Sequence, residues 1–205
     1  MAYATDAQIR KISNFTTNEI SDLTEQIAAA DKWVLERITS KHRLEGVNGK
    51  IDGSNTEFRV QEYPIADDNL DSAVDANDVE IYYATYSDVN KFLQFGSAQT
   101  VTSVVEDDGI INVTTAPTTT TAIGGVFATY RTWNVYDVDY TEFKRIASYV
   151  ACAYAQAKVL GLSGNYHEIE KDIRKSSAGG NYLEIAKSML NNILKPGCRV
   201  TKFYG

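Results

Sequence analysis

The sequence predicts an α+β fold: a helical bundle from the N- and C-terminal helices, with an inserted antiparallel β region. Three observations predict it. Apolar residues recur at helical spacing towards both ends of the 205-residue chain. Between about residues 46 and 133, short β-branched and aromatic runs alternate with turn residues. The chain shows no internal repeat, and its length suits one domain or one domain with a large insertion. The expected parts are residues 1–45, the N-terminal helices; 46–135, the inserted β region with an acidic loop; 136–197, the C-terminal helices; and 198–205, a tail. Packing both ends into one bundle is the simplest way to bury two helical stripes while letting the β segment project.

A short helix over about 5–14 precedes a long one in "TTNEISDLTEQIAAADKWVLERITS", where Ile20, Leu23, Ile27, Val34, Leu35 and Ile38 share a stripe. Thr16, followed three residues later by Glu19, has the form of a capping box. His42 stands just beyond the stripe beside Lys41 and Arg43 and reads as a solvated surface histidine. In the β region, "GVNGKIDGSNTEFRV" has turns at Asn48-Gly49 and Asp52-Gly53, the second leading into a strand through Phe58 and Val60. "VEIYYATYS" alternates Val79, Ile81 and Tyr83 on one face. "QTVTSVVED", "INVTT" and "GGVFATYRTW" are further strands, with Asp107-Asp108-Gly109 as a tight hairpin turn and "APTTTTAIGG" as a loop.

From residue 139 the period is again helical. Phe143, Ile146, Val150, Tyr154 and Ala157 form a buried stripe, flanked by Ala147, Ala151, Ala153 and Ala155, which let another backbone come close. Cys152 reads as a small buried thiol, and Gly161 is placed to stop the helix. A second helix is expected over about 165–176 with Tyr166, Ile169 and Ile173 inward. A third, capped by Asn181 and Glu184, has Ile185, Met189 and Ile193 inward and ends at Lys195-Pro196-Gly197.

A hydrophobic share of 43% and a charged share of 23% place the chain among ordinary globular proteins. No apolar run approaches the roughly 18–20 residues a bilayer requires. The segment "MAYATDAQIRKIS" lacks the apolar stretch of a secretory signal, so folding in a cytoplasm is expected. Cys152 and Cys198 make no disulfide framework. The net charge of −7 is concentrated: between Arg59 and Lys91 lie Glu62, Asp67, Asp68, Asp71, Asp75, Asp78, Glu80 and Asp88, with no lysine or arginine. Such a face would repel nucleic-acid phosphates.

Within that stretch, "DDNLDSAVDAND" sets oxygen donors at the spacing of a twelve-residue calcium loop. Calcium takes six to eight oxygens, here offered by Asp67, Asn69, Asp71, the carbonyl of Ala73, Asp75 and Asp78. Val74 stands where an apolar residue packs beneath such loops. These twelve residues resemble the calcium loop of dockerin modules, which are EF-hand-like and also end in aspartate. They depart from the EF-hand pattern in having Ser72 where glycine permits the sharp turn, and in lacking a flanking helix. The resemblance implies a structural calcium ion.

Catalytic constellations do not assemble. His42 and His167 stand in different segments, and no Walker or dinucleotide glycine motif is present. "GLSGN" has the wrong spacing for a nucleophile elbow, and His167, Glu168, Glu170 and Asp172 read as a solvated helix face. No enzymatic activity is expected. Thirteen tyrosines, many in the β region and the helix after it, suit either a β core or protein contacts made in water.

The short first helix, the long helix "TTNEISDLTEQIAAADKWVLERI", the alanine-rich "DYTEFKRIASYVACAYAQAKVLG", the trailing helix and the tail "GCRVTKFYG" together resemble the head–tail connector, or adaptor, proteins of tailed viruses of bacteria and archaea. This is a likeness of layout over most of the chain. It implies a virion protein made in the host cytoplasm, a homo-oligomeric ring of about twelve subunits, contacts with portal and with tail or stopper proteins, and nucleic acid only as DNA passing through the ring. The competing expectation is a calcium-dependent surface module whose tyrosine-rich strands bind a protein or glycan.

Overall fold

The computed structural model describes residues 3–87, 92–161 and 180–196. The chain divides into two compact units, Met1–Ile38 with Asn134–Gly205, and Thr39–Trp133. Among the described residues no helix is long and apolar enough to cross a membrane.

In the first unit, α1 (Asp6–Ser13) starts at a capping box the sequence reading missed. The Gln8 N–H donates to Thr5 Oγ1 at 3.3 Å while the Thr5 N–H donates to Gln8 Oε1 at 3.1 Å. Thr16 and Glu19 do bond, at 2.8 Å, but they close a turn, and α2 begins eight residues later at Thr24 (Thr24–Ile38). Ile20 and Leu23 are buried between that turn and α2 and so belong to the core without being helical. Helix α3 (Tyr140–Val159) is capped by Asp139, which accepts the N–H groups of Thr141 and Glu142. It ends before Gly161, whose φ of +71° glycine adopts without a Cβ clash. The last helix among the described residues, α4, spans Gly180–Ile193.

Helices α1, α2 and α4 all pack on α3. That is why α3 buries far more than one stripe: Phe143, Ile146, Val150 and Tyr154 are joined by Ala147, Ala151, Cys152, Ala153 and Ala155, all nearly or fully inaccessible. Burial pushes the Cys152 thiol up to about 12, so it packs as a small apolar group. On α4 the buried apolar residues are Leu183, Ala186 and Leu190, with Leu194 just after it. The expected Ile185, Met189 and Ile193 are only half-buried, so the buried stripe is rotated from the expected one. The expected helix over 165–176 and the tail lie outside the described residues.

The second unit holds two antiparallel sheets. The first has order β1-β7-β3-β4, from β1 (Thr39–Gly46), β3 (Glu80–Tyr86), β4 (Leu93–Gln99) and β7 (Gly125–Trp133). The second has order β2-β6-β5, from β2 (Glu57–Arg59), β5 (Val101–Val105) and β6 (Ile110–Val113). Strand β7 alternates inward Val126, Ala128 and Tyr130 with outward neighbours, and the register Ile81↔Ala128 aligns the inward residues of β3 beside it. Phe58 and Ile111 from the second sheet and Ile81, Tyr83 and Val126 from the first meet in one core. Gly109, at φ +64°, turns β5 into β6 where a side chain would collide with Val60.

The expected fold class is therefore corrected. The chain is a mixed α/β protein with, among the described residues, four helices and two antiparallel sheets of four and three strands; it is not a helical bundle with a β insertion. Two physical reasons explain the difference. The helices gather on α3 alone, and α1, at eight residues, is too short to run alongside it. Strand β1 begins at Thr39, directly after α2, inside a segment read as the end of a helix.

Asp31 supplies a titratable probe of the helical unit. It is buried on α2 and accepts the Ala4 N–H at 3.2 Å, and loss of hydration raises its carboxyl from 3.8 to about 6. A carboxyl raised in the folded state favours folding while protonated and loses that contribution as pH rises from its ordinary value through about 6. Asp31→Asn keeps an acceptor without the charge. It is expected to stabilise the protein by on the order of 3 kcal/mol near pH 8 and to change little near pH 4, as read from denaturant unfolding at the two pH values. Equal effects at both would contradict this assignment.

Candidate functional site

The acidic segment 67–78 leads into β3 and is organised around its two end carboxylates. Asp67 is fully buried and accepts the N–H groups of Leu70 (2.6 Å), Asp71 (3.3 Å) and Ser72 (2.8 Å). Asp78, also buried, accepts those of Asp68 (2.7 Å), Asn69 (3.1 Å) and Asp75 (2.8 Å). The middle donors form short local turns. Asn69 accepts the Asp71 N–H, Asp71 the Ala73 N–H and Asp75 the Asn77 N–H, at 2.7–3.0 Å. Ala73 and Asn69 are exposed, and Asp71 and Asp75 are half-exposed. Ser72 has φ +73°, the left-handed conformation that glycine supplies at this position in an EF-hand loop.

Both end carboxylates are raised, chiefly by burial, with the backbone donors opposing the shift. Each also feels a neighbouring carboxylate, Asp71 beside Asp67 and Asp67 beside Asp78. Nearby, burial raises Glu106, which accepts the Trp133 indole N–H at 3.0 Å. Asp68 ties the loop to the sheet: the Arg131 guanidinium donates to it and also to Thr39 Oγ1, and Lys41 lies at 3.6 Å. All six residues read as calcium donors thus sit in one loop, and their oxygen chemistry suits a hard cation. A carboxylate offers about four lone-pair directions, so Asp67 and Asp78, with three N–H donors each, keep about one apiece. Among the described residues, no group of three or more histidine, cysteine, aspartate or glutamate side chains is arranged to hold a metal ion.

His42 is not a free surface histidine. It sits in β1 opposite Tyr130, with the rings stacked at 4.7 Å, and its Nε2 meets Thr132 Oγ1 at 3.0 Å. Glu45 lies 3.6 Å from His42 Nδ1 and accepts the Tyr130 hydroxyl, whose own acidity is suppressed by burial and by that carboxylate. Thr132 is itself buried, and the Glu45 distance is too long for a hydrogen bond, so these groups brace the β1–β7 pairing. His167 and the acids after it lie outside the described residues.

The surface feature that the sequence reading missed is β4. It is the edge of the four-stranded sheet, six of its seven residues are exposed, and "LQFGSAQ" contains no charged residue. Around its start, Tyr86, Phe92, Leu93, Phe95 and Ile123 are all exposed, with Phe92 71% accessible. Strand alternation could not reveal it, because a strand open on both faces has no inward residues to alternate. Its only signal was an uncharged, aromatic-bearing run between two recognised strands. No protein-family model matches the chain, and no curated protein matches it.

Because Ser72 holds a left-handed backbone, Ser72→Gly is expected to stabilise the protein slightly, by about 0.5 kcal/mol once the flexibility of glycine is set against the relieved strain. The β-branched Ser72→Val is expected to destabilise it by more than about 1 kcal/mol. Denaturant midpoints that move together in the two variants would show that this residue does not set the loop.

Proposed function

We propose that the chain is a structural virion protein, a head–tail connector or adaptor subunit that forms a ring of about twelve copies between portal and tail or stopper proteins. The observation that carries this reading is the open edge at β4. Exposed sheet edges invite pairing, and proteins that remain single blunt them with charge. The opposite edge strand, β1, is blunted in this way by Lys41, Arg43 and Glu45. Strand β4 is not, and it carries an exposed apolar cluster of the kind that marks a contact surface. Assembly on a virion supplies a partner for such an edge. The net charge of −7 fits a ring through which DNA passes without adhering.

Calcium belongs to this reading as a structural ion in the 67–78 loop. Asn69, Asp71, Asp75 and the Ala73 carbonyl would supply oxygens, together with the remaining lone pairs of Asp67 and Asp78. The ion would supply positive charge beside two buried carboxylates, of which Asp67 raises Asp78. Calcium is expected to raise the melting temperature of the wild type and to leave Asp71→Ala unmoved. An equal rise in both would remove the loop as its site.

Native mass measurement over a concentration series tests assembly. The wild type is expected to form a closed oligomer, and Leu93→Lys with Phe95→Lys to shift it to monomer while the far-ultraviolet dichroism stays unchanged. A wild type that is monomeric at every concentration would overturn the connector reading and favour the calcium-dependent recognition module.

A further inference from the structure

A cleft of about 450 Å³ opens between α1 and α3 within the helical unit. Its charged lining is entirely cationic: Lys11 from α1, and Lys144 and Arg145 from α3. Ile12 and the ring of Tyr149 give it apolar surface, and Gln8 gives it an amide. The spacing explains the arrangement, since residues three and four apart share a helix face and both helices turn such a face towards the cleft. Arg145 has Glu142 at 3.7 Å, whereas no ion pair among the described residues engages Lys11 or Lys144. A protein of net charge −7 thus gathers three cations, and no carboxylate, in one concave site.

We propose that this cleft receives the acidic stretch of a second copy of the chain. The inference rests on the connector reading and deepens it by naming a contact between copies. The described stretch from Gln61 to Ser87 carries seven acids and no lysine or arginine. Asp67 and Asp78 are buried in their own loop, Asp68 is held by Arg131, and Asp71 and Asp75 are the proposed calcium donors, which leaves Glu62 and Glu80 accessible. Closed rings need two different complementary patches on each copy, one for each neighbour. A cationic cleft and an acidic stretch make such a pair, and charge complementarity fixes its register. Nucleic acid is the poorer occupant, because three cations in a pocket with apolar walls offer few phosphate contacts and the acidic stretch repels a polyanion.

The test uses the full-length chain in two charge-reversed forms. Lys11→Glu with Lys144→Glu reverses the cleft; Glu62→Lys with Glu80→Lys reverses exposed positions of the stretch without touching the side chains that hold the loop. Each form alone is expected to raise the assembly concentration by at least roughly tenfold. An equimolar mixture is expected to assemble as the wild type does, because reversed clefts then meet reversed stretches. Assembly of the cleft variant at the wild-type concentration would overturn this contact and leave the connector reading standing. Failure of the mixture to assemble would overturn it too, since the losses would then arise within each copy. A monomeric wild type would remove both readings. Duplex DNA binding by the wild type that is lost in the cleft variant would assign the cleft to nucleic acid instead.

Discussion

Strand β7 is the constraint on which the β unit depends. It pairs with β1 on one side and β3 on the other, and its alternation sends Val126, Ala128 and Tyr130 into the core shared by the two sheets. A shift of one residue would turn that set outward, so the register is firmly specified. The same strand supplies Arg131, which anchors the acidic loop through Asp68, and Trp133, which donates to Glu106. With β7 and β3 filling the centre of the sheet, β1 and β4 are left as edges with very different protection.

The acidic loop is an internally satisfied structure. Six backbone N–H groups converge on Asp67 and Asp78, which is the accounting that buried carboxylates require. The net result is an acid-rich turn held to the sheet through Asp68 by the Arg131 guanidinium and Lys41.

Much of the core was legible in the sequence because burial and period coincide there. Val79, Ile81 and Tyr83, the α3 stripe and the turn at Gly109 all follow from spacing and turn chemistry. The start of α2 was misread because Ile20 and Leu23 are buried at helical spacing while lying outside any helix: burial has a pattern, and the backbone need not share it. The fold class was misread because α3 is apolar around most of its surface, which marks a central helix as readily as one member of a bundle. The calcium-loop spacing of the six oxygen-bearing residues is visible in the sequence, but the backbone N–H groups that Asp67 and Asp78 accept are not. Strand β4 was invisible for the opposite reason to the core. Exposure on both faces erases the period on which strand reading relies.

An open, uncharged strand, an internally braced acidic loop and a cationic cleft each make physical sense if this chain works beside copies of itself. The most direct measurement of that claim is hydrogen–deuterium exchange at the amides of Leu93–Gln99 as protein concentration is raised. The outward-pointing amides of β4 should become protected by at least roughly tenfold as the edge gains a partner, while amides elsewhere on the sheet hold steady. Exchange at β4 that stays fast at every concentration would contradict it.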